Sequence, residues 1–143
     1  MPNRRSDDPL DAFNFAIEIE GVTQGPVLAV DLLETSTAVM EHKRGNDILV
    51  RATPGRHHYG RIVVRRAYTD NDELWQWRRA VSDGKLERKA GSIILLDGTG
   101  KEVTRFNFFE AWPCRWRLSA FDANTDGYLV EEIEIVCEKI EKG

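Results

Sequence analysis

The sequence predicts a mainly β domain, a small barrel or sandwich with one flanking α-helix, and three observations carry that prediction. Phe13, Phe15, Ile17 and Ile19 alternate with Asn14, Ala16, Glu18 and Glu20, the period-2 pattern of a half-buried strand. Later apolar or β-branched runs are separated by Gly-, Asn- and Asp-containing turns. Only one stretch, about Asn71 to Ser82, shows helical spacing together with helix-end signals.

In chain order, residues 1–10 form a polar, Pro-containing arm and residues 11–143 a single domain. After the first strand, Gly21 to Pro26 turns the chain, and Val27 to Met40 suits one long bent strand or two short ones. Residues 41–59 are polar and rich in turn formers, with Gly45, Asn46, Pro54 and Gly55, and read as a long irregular interaction loop. Arg44, Arg51, Arg56, His57 and His58 give that loop donors for a neighbouring surface. Gly60 to Ala67 is the next strand, ended by Tyr68-Thr69-Asp70.

The helix is expected to start with Asp70 as N-cap and Glu73 as its capping-box partner, and to end before Gly84. Leu74, Trp77 and Val81 fall on one stripe and should pack on the sheet. Trp75 and Arg79 lie off that stripe and are expected at a contact with another subunit. Ser92 to Leu96, the turn Asp97-Gly98-Thr99-Gly100 and Val103 to Trp112 form a hairpin. A short strand at Arg115 to Phe121, a polar loop at Asp122 to Gly127 and a last strand from Leu129 to Ile140 complete the chain. In that last strand Leu129, Ile133, Ile135 and Cys137 share the core face, with Glu131 interrupting the alternation, and Glu132, Glu134 and Glu138 share a solvated face.

The 143 residues carry 20 Lys and Arg against 24 Asp and Glu, a formal charge of −4, with 41% hydrophobic residues. That balance supports one hydrophobic core and excludes a disordered polyelectrolyte or a general nucleic-acid binder. No apolar run approaches the roughly 18 to 20 residues that cross a bilayer, and no signal-like segment follows Arg4 and Arg5, so synthesis in the cytoplasm without membrane embedding is expected. Charge is segregated: residues 56–89 hold nine Lys and Arg against five acids, whereas the chain from Glu131 is acidic.

Catalytic, metal and cofactor chemistry finds no support. Gly98-Thr99-Gly100-Lys101 lacks the upstream glycine and downstream hydroxyl of a phosphate loop. Asp122, Asn124, Asp126 and Gly127 match half of a calcium loop, but Ile133 stands where the bidentate Glu belongs. Adjacent His57 and His58 point to different sides and lack a third ligand, and Cys114 and Cys137 have no activating imidazole nearby in sequence. Arg61, Arg65 and Arg66 with Trp75, Trp77, Trp112 and Trp116 could stack single-stranded nucleic acid, which leaves a monomeric binding barrel for nucleic acid or a small ligand as an alternative.

The run Asn71 to Lys89, followed by Gly91 to Asp97, Arg105-Phe106-Asn107-Phe108, Ala111-Trp112-Pro113 and the acidic strand Glu131 to Ile135, resembles the tail-tube proteins of contractile phages and contractile injection systems, which are related to the type VI secretion tube protein. The resemblance covers roughly residues 11 to 141 and includes the first strand through Gly21. It implies homohexameric rings stacked into a tube that conducts DNA or effector protein, with a contractile sheath, baseplate and tube-terminating proteins as partners. Assembly would then be into a phage tail or an injection particle. Gly25 to Leu33 departs from the Gly- and Ser-rich wording of that region, which keeps a tube-initiating or baseplate paralogue open. Within such a tube Glu132, Glu134 and Glu138 are expected to face the lumen as rings of like charge, and sheet is expected to continue between subunits.

Overall fold

The computed structural model describes residues 14–22, 27–31, 33–46, 48–124 and 127–143. Among them the chain forms β1 (Phe15–Ile19), β2 (Ala29–Asp31), β3 (Thr35–His42), β4 (Arg51–Tyr59), β5 (Ile62–Ala67), α1 (Glu73–Ser82), β6 (Lys89–Leu96), β7 (Glu102–Leu118), β8 (Val130–Val136) and β9 (Lys139–Lys142). All pairing is antiparallel, in the order β1-β6-β7-β8-β5-β2, with β9 also on β7 and β3 paired only with β4. The strands curl into a half-barrel with α1 packed against β7. The residue 1–10 arm, Phe13, Gly25, Pro26, Leu32 and Asp126 lie outside the described residues.

Alternation sets the core. Ile62 and Val64 of β5 and Ile133 and Ile135 of β8 are buried, as are Ile17, Ile19, Ile93 and Phe108 from the strands beyond. Each such side chain contributes about 1.5–3 kcal/mol of burial. Leu74 and Trp77 close the core from α1, and the Trp77 indole donates to the Glu87 carbonyl at 2.8 Å, so the large ring is buried without an orphaned N–H.

Several expectations are corrected. Residues 41–59 are not an irregular loop: β3 and β4 form a two-stranded ribbon with its turn between His42 and Arg51. Pro54 is tolerated because each strand of an isolated ribbon has a free edge, and the register shifts between Thr37 and Val39, opposite this segment. A Cβ on Gly55 would sit 3.1 Å from the Ala38 carbonyl, so glycine permits the close approach. Val27 to Met40 resolves into two strands, β2 and β3.

The helix cap also differs. Asp72 is the N-cap and makes no side-chain capping bond; instead Asn71 Oδ1 accepts from the Glu73 amide at 3.0 Å. Gly84 follows the helix at φ 79°, as its position requires. The hairpin turn is as expected, with Asp97 Oδ1 accepting from the Thr99 and Lys101 amides at 2.9 and 3.0 Å. Those bonds and, foremost, the Thr99 hydroxyl hold the Asp97 carboxyl below its usual range.

Arg115 to Phe121 is not a separate strand, because β7 runs unbroken from Glu102 to Leu118. Its first half pairs with β6 and β9 and its second half with β8. The changeover falls at two irregularities, Glu110 at φ 52° and a register shift between Pro113 and Arg115. Pairing with β6 ends at Ala111, so Pro113 has a strand on one side only and its missing N–H leaves no ladder bond unmade. The expected last strand divides at Cys137 and Glu138 into β8 and β9.

Candidate assembly surfaces

Four surfaces are laid out by this topology. The first is the ribbon. Every residue of β3 is exposed, and its turn presents Ile48, which is 92% exposed, with Leu49 and Val50. Arg44 lies in the turn region and Arg51 and Arg56 on β4, all exposed. His57 and His58 are strand residues of β4, and His57 Nδ1 lies 2.9 Å from the Thr37 hydroxyl across the ribbon.

The second is the sheet face opposite the helix, where β2, β5, β8 and β7 place side chains in register. Arg65 donates to Glu132 at 2.8 Å and to both carboxylate oxygens of Asp31 at 3.1 and 3.2 Å. Glu132 also accepts from Arg117, Nε at 2.7 Å. Asp31, Arg65, Glu132 and Arg117 thus form an alternating ladder across four strands. Arg117 first, and then Arg65, hold the Glu132 carboxyl below its usual range. One register step away, Arg61 donates to Glu134 at 3.3 Å. The glutamates of β8 are therefore ion-paired rather than freely solvated, because β5 and β7 set arginines beside them. Glu138 is off this row: β8 ends at Val136, and Glu138 pairs with Arg88 at 3.8 Å.

The third is the helix face. Trp75 is 40% exposed and lies edge-on against Trp116 of β7, ring centres 4.9 Å apart at 61°. Arg79 is exposed and pairs with Asp83 at 3.6 Å. Behind Trp116, its indole donates to Glu131 Oε2 at 2.8 Å, and Arg66 Nε donates to Oε1 of the same carboxylate at 2.8 Å. Glu131 is 1% exposed and Arg66 9%. Glu131 therefore obeys the alternation, occupying a core position with a buried counterion. Arg66, Glu131 and Arg117 went unrecognised as partners in sequence, although Arg66 is in phase with Ile62 and Val64, and Glu131 with Ile133 and Ile135.

The fourth comprises open sheet edges. Among the described residues β1 has a strand partner only in β6, β2 only in β5, and residues 112–118 of β7 only in β8. Cys137 belongs to the core, whereas Cys114 is partly buried and turns to the Glu134 side chain; burial raises both thiol pKa values, and for Cys114 a hydrogen bond from Sγ to Glu134 at 3.2 Å adds to the shift. Among the described residues no three His, Cys, Asp or Glu side chains converge as a metal site, and no helix is long and apolar enough to cross a membrane.

Solved structures share this curled, open fold, three among them as follows. A chain of the anti-feeding prophage baseplate superposes with TM-score 0.85 at 17% identity, covering 96% of this chain and 97% of that one. A chain of the PVC extracellular contractile injection system, in its extended sheath–tube complex, gives 0.86 at 21% identity, covering 96% and 93%. Hcp1 from Flavobacterium johnsoniae gives 0.60 at 23% identity, covering 92% and 95%. No curated protein sequence matches the chain. Residues 11–141 match the model of the T4-like virus tail tube protein gp19, and the chain belongs to that family.

Proposed function

We propose that the chain is a structural subunit of the inner tube of a contractile phage tail or injection system, forming hexameric rings that stack into a hollow tube and carrying no active site. The observation that carries this is the open sheet. Edges such as β1, β2 and the second half of β7 invite uncontrolled pairing, and closure of a ring between copies removes them. The similarity to chains from a sheath–tube complex, a baseplate and a tube-terminating cap supports sheath, baseplate and terminator as partners.

In this arrangement the ribbon, with Arg44, Arg51 and Arg56, reaches from one ring to the next. Trp75 and Arg79 face a neighbouring subunit or the sheath. Glu132 and Glu134 face the lumen, through which DNA or effector protein passes, whereas Glu138 sits apart beside Arg88. The wall they form is charge-balanced, since Arg61, Arg65 and Arg117 are interleaved with Asp31, Glu132 and Glu134. That balance replaces the simple ring of negative charge expected from the glutamates alone and suits passage of cargo without adhesion of either sign.

Negative-stain microscopy of the purified chain tests this reading. Rings or tubes are expected, and dispersed small particles at high concentration would overturn it.

A further inference from the structure

Of two exposed apolar patches, one is carried by the ribbon, which is rooted at the start of β5, and the other lies where β5 ends; their flanking charges are opposite. The ribbon is rooted where β5 begins, with Gly60 N–H donating to the Glu34 carbonyl at 2.9 Å. At about 3.3 Å per residue its eight-residue strand reaches about 26 Å from that root. Its turn carries Ile48, Leu49 and Val50, and in sequence residues 43–51 hold Lys43, Arg44 and Arg51 against Asp47, a basic excess.

The other end of β5 meets the start of β8 and the end of β7. Tyr68 N–H donates to the Leu129 carbonyl and Ser119 N–H to the Val130 carbonyl, which brings Tyr68 beside Leu129 and Ser119 beside Val130 at this end. Phe121 is 77% exposed, Tyr128 65% and Tyr68 39%. In sequence residues 68–73 and 119–124 contain Asp70, Asp72, Glu73 and Asp122 and no Lys or Arg.

We infer that the aromatic, acidic end formed by Tyr68, Phe121 and Tyr128 is the receiving site for the ribbon turn of a second copy of this chain in the next ring. The inference rests on the stacked-tube reading and adds to it the identity of the surface that the ribbon meets. An apolar turn with basic flanks complements an aromatic surface with acidic flanks, whereas two ribbon turns or two aromatic ends would oppose like charges. A contact between different surfaces at opposite ends does not close on itself, so it propagates along an axis as a filament must. Repetition around each ring lets a modest single contact hold the joint.

Disulfide trapping tests it with Leu49→Cys and Phe121→Cys in one chain, both at exposed positions where substitution perturbs folding little. Oxidised assemblies of that double variant are expected to show a covalent ladder extending beyond one ring. Wild type, which retains Cys114 and Cys137, and each single variant should show none. Independently, Phe121→Asp is expected to weaken ring-to-ring association at least about tenfold while leaving rings intact, as removal of a central aromatic anchor does. Tubes that form from the double variant without a ladder, or Phe121→Asp tubes of normal length, would overturn the inference. Deletion of residues 45–51 separates the two claims. If the deletion stops growth but Phe121→Asp does not, the ribbon acts elsewhere and the receiving site assigned here is wrong. If the deletion leaves tube length unchanged, the stacking role of the ribbon fails, and wild-type chains that never associate overturn both.

Discussion

The buried pair Arg66–Glu131 gives the sharpest test of how the sheet holds its helix. Glu131 is 1% exposed and accepts from Arg66 Nε and from the Trp116 indole, both at 2.8 Å, while Arg66 Nη2 is buried without a hydrogen-bond partner. Removing either charge strands the other in the core, which typically costs about 3–5 kcal/mol. That is a large part of the roughly 5–15 kcal/mol that stabilises a domain of this kind. For Arg66→Met or Glu131→Gln alone, a loss of about 4 kcal/mol with a urea slope of about 2 kcal/mol/M lowers the unfolding midpoint by about 2 M. The double variant removes both charges, and the side-chain amide that Glu131→Gln introduces can still accept from Trp116 through its carbonyl oxygen. It is expected within about 1 kcal/mol of wild type, since an uncharged replacement of a buried pair is often near neutral. Tryptophan fluorescence in urea, at concentrations where the midpoint is independent of dilution, reads all four corners of the cycle. Single variants that each lose less than about 1 kcal/mol, or a double variant whose loss equals the sum of the singles, would refute the reasoning.

Two further outcomes are expected. Gly91→Ala would place a Cβ against the Phe108 ring and 2.5 Å from the Glu18 carbonyl, so a loss of about 1–3 kcal/mol should appear as a lower melting temperature; an unchanged melting curve would show that β1 and β6 can separate freely there. The Glu132 carboxyl is held below its unfolded value of about 4.3, so its contribution is present above that pH and is lost as pH falls through the lower folded-state pKa. Glu132→Gln should therefore show a smaller acid-side drop in urea midpoint than wild type, and parallel pH profiles would contradict the ladder.

Much of the fold was legible because local pattern and tertiary role agree. The alternation of Ile17 and Ile19, the turn at Asp97 to Gly100 and the stripe of Leu74 and Trp77 all state their environment in their own segment. The failures have a common cause, which is partners far away in sequence. Pro54 and Gly55 read as a turn until β3 is placed beside them, and Pro113 reads as a strand end until it is seen that β6 has already departed. Glu131 reads as a flaw in a strand until Arg66, 65 residues earlier, supplies its counterion. The glutamates of β8 likewise read as a solvated row because nothing near them in sequence announces Arg65 and Arg117.

The place of β8 in the sheet also governs when a subunit can come into being. It lies between β7 and β5, so the β5–β2 pair has no connection to the rest of the sheet until residues 130–136 exist. At a synthesis rate of about 5–20 residues per second, the ribbon leaves the ribosome several seconds before β8 does. The ribbon is paired locally and needs no other element, whereas the body must wait for a strand made almost last, and such non-local pairing is slow to form. A nascent or prematurely terminated chain thus lacks the open edges of β1 and β2 in their correct relation. In the proposed tube, the timing of synthesis itself would keep incomplete subunits out of a growing polymer.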